Sequence, residues 1–146
     1  MSHARTQIKQ AIFNLLTSNM GMVTIIQSRV YPLEDSKLPA ILIYARQETI
    51  AEMTISKPRT QYRTLSLVLE GIVKANSNLD STLDNLALQI EQVLAVNTTL
   101  SSLVKDIILK DTEIQYHDEG DKPYGTIILN YHISYAVIET APQTIR

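Results

Sequence analysis

Residues 65–96, with the sequence LSLVLEGIVKANSNLDSTLDNLALQIEQVLAV, decide the fold because their hydrophobic period changes halfway along the stretch. In the first half, apolar residues alternate on one face of an extended strand: Leu65, Leu67, Leu69 and Val73. In the second half they recur every three or four residues, as on one stripe of an α-helix: Leu79, Leu83, Leu86, Ile90 and Val93. The stretch therefore predicts a β-strand followed by an amphipathic helix.

The change of period falls at residues 75–78, which read ANSN. Ser77 or Asn78 can accept the free N–H groups of the first helical turn, and Asp80 lies favourably near the positive end of the helix. Neither apolar face can remain in water, so the helix is predicted to pack back onto the sheet that contains the strand. Every other element is expected to join that sheet or that helix.

The length and composition describe a single globular domain over residues 1–146. The chain has 146 residues, of which 45% are hydrophobic and 19% charged, and a chain of this length can bury one real core. It has no cysteine, which excludes disulfides, thiolate chemistry and Cys-ligated metals and is consistent with a reducing compartment. No apolar run approaches the ~20 residues of a membrane span, and the N-terminal sequence does not have the pattern of a signal peptide.

The net charge of −2 gives no general attraction to nucleic acid, but the charges are unevenly distributed. The predicted first helix is basic and the predicted second helix acidic, through Arg5 and Lys9 in the first and Asp80, Asp84 and Glu91 in the second. The two helices therefore offer surfaces of opposite charge.

The N-terminal half is predicted to form a helix and two or three strands. The helix extends from about His3 to Ser18, with Ser2 as its N-cap. After it follow a short strand or buried loop at 23–26, an edge strand at 28–32 that Pro32 stops, a polar turn at 33–38, and a central strand at 40–48 that is apolar on both faces.

The remaining segments predict a long hairpin arm and a C-terminal hairpin. The arm, at about 49–61, joins the central strand to the strand that precedes the second helix. The C-terminal hairpin consists of a strand at 104–116 with a bulge near Lys110-Asp111, a tip at 118–121 and a strand at 125–138, and a loose tail at about 139–146 follows it. The predicted fold is α+β, with a mostly antiparallel mixed sheet of about four to five strands and two helices on one face.

The best candidate for chemistry is the group His117, Asp118, Glu119 and Asp121, which has the residue types of a divalent metal site. The alternative is a solvated hairpin tip, because metal ligands usually converge from several elements and these four follow one another on a turn. His132 lies ~23 Å along the strand from this turn and cannot complete the site. There is no G-x-S-x-G motif and no glycine-rich phosphate loop, and the chain is predicted not to be an enzyme.

Three segments resemble the phage minor tail protein U family, the tail terminators of long-tailed phages. They are SHARTQI at 2–8, SRVYPLEDSKLPAILIY at 28–44 and LVKDIILKDTEIQYHDEGDKPYGTIILNYHISY at 103–135, and EGIVKA at 70–75 fits as well. The resemblance implies an α/β subunit that forms a ring, typically a hexamer, without catalytic residues or a cofactor.

In this family the ring caps the tail tube, ends its polymerisation and presents a surface to the head–tail connector. The resemblance thus implies a structural protein of the virion tail, assembled in the cytoplasm of the bacterial host, with the tube and connector proteins as partners. DNA would only pass through the ring, without sequence-specific binding, and no membrane is involved.

Two surface hypotheses follow from joining the residue pattern to this resemblance. The basic first helix is expected to face the acidic second helix of the next subunit in the ring, because a ring joins two different patches. The arm is expected to be mobile in the free subunit and to become ordered on the tube or on a neighbour, through Met53, Ile55, Lys57, Arg59, Tyr62 and Arg63. For each hypothesis the alternative is that the residues serve only their own domain.

Two other functional classes remain open at this level. One is a different head–tail completion protein or a tube subunit of the same particle, which would polymerise into open stacks where a terminator closes into a ring. The other is a small metal-dependent enzyme that uses His117 and Asp121, which metal analysis of the purified protein would detect.

Overall fold

The computed structural model describes residues 2–29, 37–52, 54–74, 77–117 and 123–146. In these ranges the chain forms two helices and six strands, which confirms the α+β class and adds to the predicted strand number. In chain order they are α1 (Ala4–Asn19), β1 (Thr24–Ile26), β2 (Ala40–Glu52), β3 (Thr60–Lys74), α2 (Leu79–Ala95), β4 (Asp106–His117), β5 (Tyr124–Ile138) and β6 (Ala141–Ile145).

The sheet is mixed but mostly antiparallel, with the strand order β1-β2-β3-β5-β4 and with β6 paired to β5. β1 runs parallel to β2, whereas β2, β3, β5 and β4 are each antiparallel to the next strand. β3 and β5 have 15 residues each and pair along their whole length, so they form the centre of the sheet.

The strand-to-helix stretch forms as its period predicts. The alternating leucines of β3 are buried, and α2 covers them with a buried stripe that includes Leu83, Leu86 and Ile90. Gly71 lies beneath this helix: a Cβ atom at that position would come within 2.6 Å of Leu86 Cδ2. A residue without a side chain therefore lets α2 lie close to the sheet, and each fully buried leucine of the stripe contributes ~1.5–3 kcal/mol.

The first helix begins one residue later than predicted, because His3 rather than Ser2 is its N-cap. The Nδ1 atom of His3 accepts a hydrogen bond of 3.1 Å from the Arg5 backbone N–H, as a capping side-chain oxygen would. Ile8, Ile12 and Leu16 are fully buried on its inner face.

Both helices lie on one face of the sheet, as predicted, and share one hydrophobic core with it. This helix-covered face takes Ile41 and Ile43 of β2, the leucines of β3 and the alternating apolar residues of β5. Ala40 and Leu42 point to the opposite face and are also fully buried, as expected for a strand that is apolar on both sides. Neither described helix is long and apolar enough to cross a membrane.

The predicted arm is largely a continuation of the sheet. β2 extends to Glu52 and β3 begins at Thr60, and the two strands pair as far as Glu52 and Gln61. Residues 60–63 also pair with β5 on their other side. Residues 53–59 lie between the two strands. Met53 lies outside the described residues, and we call residues 54–59 the hairpin tip.

The C-terminal hairpin confirms the predicted bulge and overturns the predicted loose tail. The register between β4 and β5 shifts between Leu109 and Asp111, next to the expected position. Residues 141–145, by contrast, form β6, which pairs with Val137 and Ile138 at the end of β5. The tail is held because Ile145 packs against the core and the Gln143 carbonyl accepts a hydrogen bond of 2.7 Å from Gln7 Nε2.

The remaining N-terminal predictions are partly tested. Residues 24–26 form a strand, so the first alternative for 23–26 is confirmed. Ser28 and Arg29, which were predicted to begin an edge strand, lie outside the strands. The rest of that predicted strand and the turn after it fall mostly at residues 30–36, outside the described residues. Outside them too lie residues 75–76, at the predicted change from strand to helix, and residues 118–122, at the predicted tip of the C-terminal hairpin.

Candidate interaction surfaces

The described residues contain no group of three or more His, Cys, Asp or Glu side chains that could hold a metal ion. The ring of His117 stacks on that of Tyr124 with centroids 4.4 Å apart, at the end of the C-terminal hairpin. Asp118, Glu119 and Asp121 lie outside the described residues, so the metal hypothesis stays untested there. His132 is half-buried on the face opposite the helices, where it pairs with Ser66 across the sheet.

The hairpin tip is the most exposed apolar surface of the predicted partner-binding set. Ile55 has 96% of its surface exposed, and Tyr62 is 45% exposed on the adjoining strand. Arg59 is held in place, since its guanidinium lies 3.7 Å from Glu52 and 3.5 Å from Glu139. Lys57 is exposed. The structure thus brings Ile55, Lys57, Arg59 and Tyr62 to one end of the molecule.

Arg63, predicted as a partner-binding residue, is instead 8% exposed and belongs to an internal polar cluster. Its Nη1 atom lies 3.0 Å from Glu48 Oε1, and its Nη2 donates to Gln61 Oε1 at 2.8 Å. The same Glu48 oxygen accepts from Arg5 Nη1 at 3.0 Å. Both arginines therefore form ion pairs within their own subunit.

Tyr135 and His3 complete this cluster. The Tyr135 hydroxyl donates to Glu48 Oε2 at 2.6 Å, and burial together with this carboxylate raises the pKa of the phenol. The pKa of His3 is lowered, chiefly by burial and then by the nearby charges of Arg5 and Arg63. The cluster joins α1, β2, β3 and β5, so its role is to hold these elements together.

Sequence reasoning missed this cluster because one irregular residue changes which side Glu48 faces. The register of β2 against β3 shifts between Ala45 and Gln47, so that Glu48 pairs with Leu65 on the helix-covered face. Without the shift, strict alternation from Ile43 would place position 48 on the opposite face. The only hint in the sequence is a pair of opposite charges, Glu48 and Arg63, at either end of a predicted hairpin.

The acidic residues of α2 remain on the surface. Asp80, Asp84 and Glu91 are exposed along the helix, and none of them has an ion pair within the described part of the chain. The Tyr116 hydroxyl of β4 donates to Asp80 Oδ1, and this hydrogen bond raises the pKa of the tyrosine. The acidic side of α2 therefore lies next to β4.

A cleft of about 350 Å³ continues this surface between the end of α2 and the beginning of β4. Its lining is mostly apolar and also includes Glu91, Thr98 and Tyr131. Burial and the Glu91 carboxylate raise the pKa of Tyr131. The cleft has one charged lining residue and offers no convergent set of polar groups of the kind that small-ligand sites use.

A second cleft of about 350 Å³ lies on the face opposite the helices. The Arg29 guanidinium lies 5.4 Å from the centre of the Tyr44 ring, and Arg46 and Glu113 also line the cleft. The Tyr44 hydroxyl donates to Glu70 Oε1 at 2.8 Å, and burial together with this carboxylate raises the pKa of Tyr44 to about 12. A protonated phenol is thus maintained beside a carboxylate that is 1% exposed.

A family model described as phage minor tail protein U matches residues 3–135 of the chain. No curated protein matches the sequence. Among solved structures, the chain is similar to one in "Virion of native gene transfer agent (GTA) particle", with 10% sequence identity and a TM-score of 0.40. That similarity covers 87% of this chain and 94% of the other.

Proposed function

Because the chain belongs to the phage minor tail protein U family, we propose that it is the subunit of a ring that caps the tail tube of a long-tailed phage. Membership makes it a structural tail protein of a virion. The ring, of six subunits in the simplest case, stops tube polymerisation and offers its other side to the head–tail connector. It assembles in the bacterial cytoplasm, and DNA passes through it.

The observation that carries this proposal is the kind of surface that the subunit exposes. In the described part of the chain, most of the exposed large apolar residues lie on an open edge strand, on a helix or at a hairpin, as is usual for assembly surfaces; Met22 and Val96 lie outside these elements. The clefts are shallow and do not gather reactive groups. A protein that works by fitting against copies of itself and other virion parts has this distribution.

We assign the contact with the tube to the hairpin tip and the strand beside it. Ile55, Lys57, Arg59 and Tyr62 supply an apolar centre with basic groups around it, and Met53 belongs to the same segment. Arg63 is left out of this surface because its guanidinium is buried against Glu48. Ordering of the tip on the tube, rather than of the whole arm, is the conformational change expected on binding.

Negative-stain microscopy of the purified protein, alone and with purified tail tubes, tests the ring. Closed rings are expected in the first case, and rings at one end of tubes that no longer elongate in the second. Open stacks of the protein would identify a tube subunit instead. A protein that leaves tube ends bare and tube growth unchanged would contradict the proposal and favour another head–tail completion role.

The tube surface has its own test with a matched control. Ile55→Asp is expected to weaken binding to tubes by about tenfold or more, because it places a charge in the centre of the contact. Met22→Asp is the control, since Met22 is 93% exposed against 96% for Ile55 but lies at the other end of α1 from the hairpin. Equal binding of the two variants in a tube co-sedimentation assay would remove the tip from the interface.

A further inference from the structure

The sheet has two open margins of opposite charge, and we propose that they bind each other between copies of this chain, in a head-to-tail contact. The acidic margin consists of β4 and the exposed side of α2, with Asp80, Asp84, Glu91, Asp111 and Glu113. The basic margin consists of β1, the outer edge of β2 and the residues beside them, with Lys9, Arg29 and Arg46. The inference rests on the proposed ring and names the surfaces that close it.

The acidic margin contains a long unpaired strand edge. β4 has 12 residues, and within the described ranges it pairs only with β5. Ile108, Ile114 and Tyr116 are each about half exposed along it, at 46%, 45% and 56%. An unpaired edge of this length with apolar side chains can pair with a strand of another molecule. Proteins that must remain soluble normally shield such an edge.

The basic margin contains a second open edge of similar length. β1 covers only Ala40, Ile41 and Leu42 of β2. From residue 43 to residue 52, no described strand pairs with the outer side of β2. These residues extend over ~34 Å, against ~40 Å for β4, at 3.4 Å per residue. The two edges can therefore pair over most of their lengths.

The strand directions allow this pairing in a ring. β4 is antiparallel to β5, β5 to β3 and β3 to β2, so β4 runs opposite to β2 within one copy. A rotation about an axis nearly parallel to the strands keeps these directions. It therefore brings β4 of one copy antiparallel to β2 of the next, which is the more stable arrangement of a strand pair.

Charge complementarity selects the second copy as the occupant. Among the described residues, the two carboxylates of β2 form ion pairs within the subunit, Glu48 with Arg5 and Arg63 and Glu52 with Arg59. Arg29 and Arg46 remain without an ion pair among the described residues, so this edge presents positive charge. On the acidic margin, by contrast, Asp80, Asp84 and Glu91 of α2 form no ion pair with any residue in the described ranges.

The same charges argue against a two-fold dimer of β4 with β4. With Thr112 at the two-fold axis, that contact would place Asp111 of one copy against Glu113 of the other, and like charges facing each other destabilise an interface. A head-to-tail contact joins unlike patches and closes into a ring if the rotation fits.

Two charge reversals test the contact between molecules. In Glu113→Lys the acidic margin becomes more basic, and in Arg46→Glu the basic margin becomes more acidic. Both residues are exposed but also line one cleft of the same subunit, so urea unfolding of each variant is compared with that of the wild type to separate an effect within the subunit from one between subunits. Each variant alone is expected to raise the concentration of half-assembly by about tenfold at low salt, because it faces an unreversed neighbour of like charge. Sedimentation velocity measures this, and circular dichroism confirms folding.

A mixture of the two variants gives the decisive result. In an alternating ring every contact joins opposite charges again: the two substituted side chains meet at one contact, and the native Glu113 and Arg46 meet at the next. The equimolar mixture is therefore expected to assemble at nearly the wild-type concentration. The control is Lys57→Glu, which reverses a positive charge as Arg46→Glu does, but at the exposed hairpin tip. Because Lys57 lies outside both margins but in the proposed tube surface, this variant is expected to assemble like the wild type and to bind tubes more weakly.

Three outcomes would overturn the inference. Assembly of Arg46→Glu like the wild type would remove β2 from the contact and favour a β4–β4 dimer. Failure of the mixture to recover would show that the two margins do not meet. Equal hydrogen-exchange rates of the β4 amides in free and assembled protein would show that the edge stays unpaired.

Different experimental outcomes would reject the proposed function and this inference. Wild-type rings that cap tubes, formed equally well by both variants, would leave the terminator function in place and reject these margins. Wild-type protein that assembles through these margins into open fibres would retain the contact and reject the cap.

Discussion

Removing Glu48 is expected to destabilise the subunit more than removing any exposed carboxylate, because Glu48 neutralises a buried guanidinium. The Glu48 and Arg63 side chains are only 8% and 9% exposed, and their nearest charged atoms lie 3.0 Å apart. Glu48→Met leaves Arg63 as a buried charge whose remaining described partners are Gln61 Oε1 and, at 3.4 Å, His3 Nε2, and it leaves the Tyr135 hydroxyl without its carboxylate. Breaking a buried pair in this way costs ~3–5 kcal/mol.

Replacing Arg63 should lower the free energy of unfolding less than replacing Glu48. In Arg63→Met, Glu48 retains the Arg5 guanidinium and the Tyr135 hydroxyl, and Arg5 is 39% exposed and connects the group to solvent. A loss of ~1–3 kcal/mol is therefore expected. The double variant removes both charges together, so its loss should fall short of the sum of the two by ~2 kcal/mol.

Urea unfolding followed by circular dichroism, at protein concentrations below assembly, measures these values. For a domain of this size ~3–5 kcal/mol corresponds to a fall in Tm of roughly 10 °C. Glu52→Met is the matched control, since Glu52 forms an exposed pair at 3.7 Å with Arg59 and should cost no more than ~0.5 kcal/mol. Additive losses in the double variant, or equal losses for the two glutamates, would refute the reasoning.

Three further changes test other parts of the fold. Leu83→Ala, at a fully buried position of α2, should cost ~2–5 kcal/mol in urea unfolding, whereas Leu88→Ala, at a half-exposed position of the same helix, should cost much less. Deletion of residues 141–146 should lower the Tm by several degrees, because β6 packs Ile145 on the core; an unchanged Tm would favour a loose tail. His3→Asn should reduce the loss of stability on acidification. The pKa of His3 is lowered in the folded state, so its contribution is present above pH ~6.5 and is lost as the pH falls through the folded value; parallel Tm–pH curves for wild type and variant would contradict this.

The hydrophobic period of a segment was sufficient to predict its secondary structure wherever one face of the element is uniformly apolar. The strand and helix at 65–96 and the alternating face of β5 follow from it because their apolar residues can be buried in only one orientation. The bulge beside Asp111 could also be predicted, since the apolar residues on either side of it change parity.

The acidic surface of the second helix could be predicted from the sequence, but the strand beside which it lies could not. The spacing of charges along the chain shows that Asp80 and Asp84 face water, and the structure adds that they lie beside β4, which begins 22 residues after Asp84. Which margins of the sheet remain open depends on strand order. Strand order is a property of long-range pairing, which residue types specify only weakly.

The α+β class, the two amphipathic helices and the long central strands could be predicted from the residues alone, because each of these depends on a hydrophobic repeat within a few residues. The burial of Arg63 and the exposure of Ile55 are seen only in the folded chain, although both residues were predicted to bind a partner through the same segment. Arg63 is buried because an extra residue in β2 turns its partner Glu48 toward the core, where Tyr135 and α1 surround it. The partners that fix this burial come from distant parts of the chain, beyond the reach of any local pattern.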